Sequence, residues 1–225
     1  AKRRLYANRE NRSLDFLSNF RVPREDKTKH ATDRYLDVLK PLGIEATERA
    51  ARIHPRAVDL ETIESLWQKR RIQGLTVGLF PGAGHPSRRW SLQNFASLAD
   101  FITRNDEVGI AVFLGPEEKS LGEEVSRIFP PNTQIFDDLS LVQLVAALSR
   151  LSVFVSNDTG PMHLAAAVGT PVVLLMDKRA PQTYTPLTSA LRVIRNGRID
   201  EIKVEEVYQA ARELLVSERV SRLTN

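Results

Sequence analysis

Cysteine is absent from the 225 residues. Disulfides, thiolate metal sites and thiol nucleophiles are therefore excluded, and a cytosolic setting fits that absence. No apolar run approaches the ~20 residues that a bilayer-spanning helix needs. The first residues, AKRRLYANRENRS, lack the apolar stretch of a secretory signal. Internal repeats and low-complexity stretches are missing too. So is the interleaving of aromatic and basic residues that marks nucleic-acid binders. The chain opens on Ala rather than Met, as a processed chain or a piece of something longer would.

What is present is ordinary globular material, 42% hydrophobic and 27% charged. Its length suits one large domain, or one domain and part of another. The formal charge of +4 is unevenly placed. Residues 1–30 hold nine Lys/Arg against four acids, a balance of +5, which leaves the remainder at −1. The basic segment reads either as a solvated arm or as a surface for anionic lipid or nucleic acid. A near-neutral body argues against nucleic acid.

Residues 1–28 show little periodicity. KHATDRYLDVLKPLGI reads as a helix with Ala31, Tyr35, Val38 and Leu39 at helical spacing, ended by Pro41 and Gly43. A second helix, DLETIESLWQKRRI, carries Leu60, Ile63 and Trp67 on one face. From residue 75 short apolar runs alternate with amphipathic stretches. Strands are expected at 75–80, 109–114, 133–136, 152–156, 171–176 and 191–195. Helices are expected near 92–104, 117–128, 140–150, 161–168 and 203–218. Ser140 and Gln143 have capping-box spacing ahead of Leu141, Leu144, Val145 and Leu148. Strands that are apolar throughout and separated by helices predict a Rossmann-like α/β fold, a parallel sheet flanked by helices. The expected organisation is residues 1–45 ahead of the sheet, 46–72 as linker and helix, 73–218 as the Rossmann-like domain, and 219–225 as a tail.

In such a fold ligands bind at the carboxyl ends of the strands. After the first strand comes PGAGHPSRRWSLQNF. Its small residues allow close backbone approach, and Arg88 and Arg89 supply charge, as a phosphate site requires. It is neither a Walker loop nor a GxGxxG fingerprint, and a glycine turn before a solvated basic helix start is the plainer reading. After the second strand, Glu117 and Glu118 sit at an expected helix N-terminus, where the helix dipole favours acids. A carboxylate there could also accept from a ribose diol. Asp137 and Asp138 lack a residue between them and a His or Glu nearby, which argues against a metal site.

SNDTGPMHLAAAVGTPVVLL carries the strongest signal. A strand ends at Ser156, Gly160 permits a tight turn, and Pro161 suits the first helical position. The unpaired N–H groups of the first turn, with the Thr159 hydroxyl, make an anion site. His163 shares that turn and could donate to a phosphate or a sugar hydroxyl. The alternative makes Asp158 and Thr159 helix caps and His163 an incidental surface residue.

These segments, with GPEE, resemble the C-terminal half of glycosyltransferase family 9, the ADP-heptose:lipopolysaccharide heptosyltransferases and their relatives, over roughly residues 28–218. The resemblance implies a GT-B architecture of two Rossmann-like domains, this chain resembling the C-terminal one, with residues 1–45 a remnant of the N-terminal domain and 73–218 the nucleotide-sugar-binding domain. It implies donor contacts at Ala83, Gly84, Arg88, Glu118 (or Glu117), Leu139, Asp158, Thr159, Gly160 and His163. Arg88 stands where the family has lysine in a Lys-x-Trp element completed here by Trp90, which keeps the charge and changes its geometry. Glu118 would hold the ribose and Leu139 pack on the adenine.

The implied activity is inverting transfer of heptose from ADP-heptose to the lipopolysaccharide core, with no metal or other cofactor. No nucleic acid is involved, and the setting is the cytoplasm, with possible peripheral contact at the inner face of the cytoplasmic membrane. The family's general base lies in an N-terminal domain not recognised here. The chain is thus expected to be a donor-binding half, inactive alone. Two other expectations stand beside it: a non-catalytic nucleotide-sugar-binding module, and a GT-B-type nucleotide-sugar epimerase.

Overall fold

The computed structural model describes residues 4–7 and 15–224. The basic positions 2, 3, 9 and 12 lie outside them. Two compact units are present. One takes in the described residues up to Ala50 together with Pro181–Leu187; the other comprises Ala51–Ala180 and the residues from Thr188 onward.

Among its described residues the smaller unit holds one α-helix, α1 (Ala31–Asp37), and 3-10 turns that include Lys40–Leu42, which ends on the left-handed Gly43. His30 fixes the start of α1. Its Nδ1 accepts from the Thr32 N–H at 3.2 Å, which leaves Nε2 to donate to the Thr185 carbonyl at 2.8 Å. The expected apolar face is not buried as a stripe. Ala31 is buried, whereas Tyr35 and Leu39 are exposed. At seven residues the helix is too short to carry a face over two turns.

The larger unit runs α2 (Ala57–Lys69), β1 (Thr76–Phe80), α3 (Leu92–Asn105), β2 (Gly109–Phe113), α4 (Gly122–Ile128), β3 (Gln134–Phe136), α5 (Leu141–Leu148), β4 (Val153–Asn157), α6 (Gly160–Ala167), β5 (Val172–Leu175), β6 (Leu191–Ile194) and α7 (Val204–Thr224). The six strands form one parallel sheet in the order β3-β2-β1-β4-β5-β6. Side chains alternate between its faces. Val77, Leu79, Val112 and Val155 pack with Phe95 and Ile102 of α3, Val125 of α4, and Val207 and Leu214 of α7. Phe80, Phe113, Phe154 and Leu174 pack with Ile63 and Trp67 of α2, Leu148 of α5 and Met162 of α6. Both faces are thus covered, which is why the strands read as unbroken apolar runs.

Three boundaries differ from expectation. Helix α4 begins at Gly122, directly after a 3-10 turn at Lys119–Leu121 whose N-cap is Glu118, so Glu117 and Glu118 precede the α-helix itself. Helix α7 continues to Thr224, where a tail was expected. Pro161 is the second residue of α6, with Gly160 the first. The Ser140–Gln143 capping box forms as its spacing suggested, and Gly169 (φ +90°) ends α6 in the left-handed conformation that glycine tolerates.

Candidate functional site

Strands β1 and β4 are neighbours at the centre of the sheet, yet the helices that follow them pack on opposite faces, α3 on one and α6 on the other. The loops leaving the two strands therefore diverge. Strand order reverses here, and such a switch point opens a crevice at the carboxyl edge of a parallel sheet.

The loop after β1 is held from below. Asn157, the last residue of β4, is fully buried. Its Nδ2 donates to the carbonyls of Pro81 at 2.9 Å and Gly82 at 3.1 Å, and its Oδ1 accepts from the Trp90 N–H at 3.0 Å. Arg89 Nε donates to the Ala83 carbonyl at 2.9 Å. Three successive carbonyls are thus turned toward anchoring side chains. No cis peptide bond occurs among the described residues, and across a planar trans peptide the next N–H points opposite to the carbonyl. The N–H groups of Gly82, Ala83 and Gly84 are accordingly turned away from those anchors.

The loop after β4 supplies the facing wall. Thr159 is the N-cap of α6, with extended backbone (φ −156°, ψ 167°), and its side chain makes no capping hydrogen bond. A Thr159 kept only to cap the helix would show that bond. Asp158 Oδ2 stands 3.7 Å from Arg88 Nη1, an ion pair joining the two loops. Arg88 is exposed, Asp158 and Thr159 are partly buried, and Gly160 and His163 are exposed on the first turn. One short arc thus brings together Arg88 of the β1 loop with Asp158 and the α6 turn.

Glu118 is buried against the same loop. A Cβ added at Gly82 would fall 2.5 Å from Glu118 Cδ, and one at Gly115 would fall 2.8 Å from its Oε2. Only glycines permit so close an approach. Burial pushes the Glu118 carboxyl above its usual range, and the Arg89 charge opposes that rise. Glu117 is exposed. Leu139, beyond β3, is partly buried against the α2–α5–α6 face, and β2 separates its strand from β1. Trp90 is core, not a wall of the crevice: it is 1% exposed and its Nε1 donates to the Ile202 carbonyl at 2.9 Å. Asp137 and Asp138 are exposed, and no cluster of three or more His, Asp or Glu suited to a metal ion occurs among the described residues.

Asn157 is the residue that sequence reasoning missed. The signal was available, because a polar side chain closing an otherwise buried strand must find partners there.

The family model described as glycosyltransferase family 9 (heptosyltransferase) matches residues 4–211. Lipooligosaccharide heptosyltransferase 2 of Haemophilus influenzae is 28% identical over 180 residues, 76% of this chain and 49% of the relative. Lipopolysaccharide heptosyltransferase 2 of Salmonella typhimurium is 30% identical over 125 residues, 53% of this chain and 36% of the relative. The chain spans about half the length of the curated relatives it matches, or less. Among solved structures, a family 9 glycosyl transferase from Veillonella parvula superposes with a TM-score of 0.80 at 24% identity, covering 87% of this chain and 63% of that one. E. coli heptosyltransferase WaaC with ADP superposes at 0.70 and 17% identity, covering 91% and 63%. Both share the fold. The match of the family model over most of the sequence establishes that the chain belongs to glycosyltransferase family 9.

Proposed function

We propose that this chain provides the donor-binding half of an inverting heptosyltransferase. Its donor is ADP-heptose and its acceptor the lipopolysaccharide core. The observation that carries this reading is the pairing of the α6 turn with a carbonyl-anchored β1 loop at the sheet's switch point, with Arg88 between them. Family membership and the names of the relatives support it.

In this mechanism the diphosphate lies across the crevice. The N–H groups of Ala83 and Gly84, the first turn of α6, the Thr159 hydroxyl and Arg88 face charge that grows as the bond to the anomeric carbon breaks. Donors fixed before the reaction stabilise such charge without reorganising. Asp158 holds Arg88 and is placed for sugar hydroxyls, and His163 is a further donor. Glu118 and Leu139 serve the ribose and adenine. Deprotonation of the acceptor hydroxyl is assigned to none of these residues, and no step is assigned to a metal. The acceptor would bring the protein to the inner face of the cytoplasmic membrane. None of the described helices is long and apolar enough to cross one, and the +5 balance of residues 1–30 suits an anionic surface.

Calorimetry with ADP and ADP-heptose tests the reading. Asp158→Ala and His163→Ala should each weaken ADP-heptose binding by roughly tenfold, the scale of one hydrogen bond to a charged group. Unchanged affinity in both removes the α6 turn from the site.

A further inference from the structure

We infer that Asn157 is a positioning residue for the diphosphate. It touches no ligand on this reading. It aims the backbone donors of the β1 loop. The inference rests on the donor-binding reading above and deepens it.

One fully buried carboxamide uses both ends across the switch point. The amide nitrogen takes the Pro81 and Gly82 carbonyls, and the oxygen takes the Trp90 N–H. These bonds bracket the loop, since residues 81 and 82 open it and residue 90 closes it just before α3. Arg89 Nε holds the next carbonyl, that of Ala83. Peptide planarity converts that pull into a direction, so that the N–H groups of Ala83 and Gly84 point away from the anchors. A run of successive N–H groups turned one way is an anion-binding arrangement. Without the amide the Pro81 and Gly82 carbonyls would lose their buried partners. The peptides would then be free to rotate, presenting carbonyl oxygen to the diphosphate in place of N–H.

The chemistry of asparagine is needed at both ends. Aspartate has no hydrogen to donate to two carbonyls, and it would set a carboxylate against them. Serine has a single hydrogen to give, so it can satisfy only one of the two carbonyls. The clamp also spans the two loops: residue 157 is followed directly by Asp158, the partner of Arg88. A shift of the β1 loop would therefore move Arg88 relative to Asp158 as well.

The experiment compares ligands that differ only in the diphosphate. ADP and adenosine are titrated into the 225-residue chain and into Asn157→Asp and Asn157→Ser, with circular dichroism confirming the fold. Wild type should bind ADP more tightly than adenosine. In both variants that ratio should fall by about tenfold or more, the scale of a lost hydrogen bond to a charged group, while adenosine affinity holds. Equal weakening of both ligands, or an unchanged ratio, would overturn the assignment and leave Asn157 a core residue. If neither ligand binds wild type, the donor-binding reading itself fails, which is a separate result. Should both variants fail to fold, hydrogen exchange in wild type decides. ADP must slow exchange of the Trp90 N–H more than adenosine does at matched saturation, and equal protection by the two overturns the clamp.

Discussion

Gly82→Ala is the perturbation with the most closely defined consequence. A methyl at residue 82 would stand 2.5 Å from Glu118 Cδ and 2.6 Å from Phe80 Cε1, and closer still to Glu118 Oε1. Carbon atoms in contact settle about 3.5–4.0 Å apart, so both neighbours must retreat by about 1 Å. Phe80 is packed in the core and 5% exposed, and Glu118 is walled on its other side by Gly115. The carboxylate, as the flexible end, is expected to leave its pocket. Overpacking of this kind costs about 1–3 kcal/mol. At about 2–4 °C per kcal/mol for a chain of this size, the melting temperature should fall by about 2–12 °C. The physical cause can be isolated with a double-mutant cycle read by thermal denaturation. In a Glu118→Ala background the carboxylate is gone while Phe80 stays, so Gly82→Ala should cost less there by about 0.5 kcal/mol or more. Additive effects would refute the claim that the glycine exists to admit Glu118.

Two further outcomes follow from neighbouring residues. Burial raises the Glu118 carboxyl, so the folded protein keeps a proton that the unfolded chain, near the ordinary value of 4.5, has already released. Glu118→Gln should therefore gain stability over wild type as pH rises above 4.5 through the folded ionisation, and show no such gain in acid, where both states are protonated. Denaturant midpoints over a pH series measure this, and a gain confined to acid would contradict it. Trp90→Phe keeps the ring in the core but removes the donor to the Ile202 carbonyl, whose residue is 2% exposed. A loss of about 1–3 kcal/mol is expected for a buried acceptor left unpaired, and an unchanged urea midpoint would show that the bond contributes nothing.

Much of the fold could be read from pattern because the sheet is buried on both sides. All six strands, and the helices between them, follow from apolar runs and helical spacing, with most boundaries displaced by a residue or two and the start of α4 by five. The order of the strands could not be read in this way. It depends on which face each helix takes, and neither α3 nor α6 carries in its sequence a mark of the face it covers. The switch point between β1 and β4, which gives the Asp158 turn its counterpart in the Arg88 loop, was therefore hidden. Glu118 shows a different limit. As sequence it was one of two acids in a turn, and only the glycines at 82 and 115, distant from each other in the chain, distinguish it from the exposed Glu117. Trp90 was legible only as the end of a Lys-x-Trp-like element after Arg88; that its indole turns inward to Ile202 was not.

The meeting of β1 and β4 has a consequence for folding. Strands β1–β3 and β4–β6 are each assembled from near neighbours in the chain, and within the sheet the β1–β4 ladder is the weld between them. Asn157 reaches a carbonyl 76 residues earlier, so its bonds close a long loop and depend on both halves being in place. The crevice straddles that weld. A ligand gripped from both loops would act as a bolt across it, stabilising the union of the halves rather than either alone. Ligand affinity would then report whether the weld is intact.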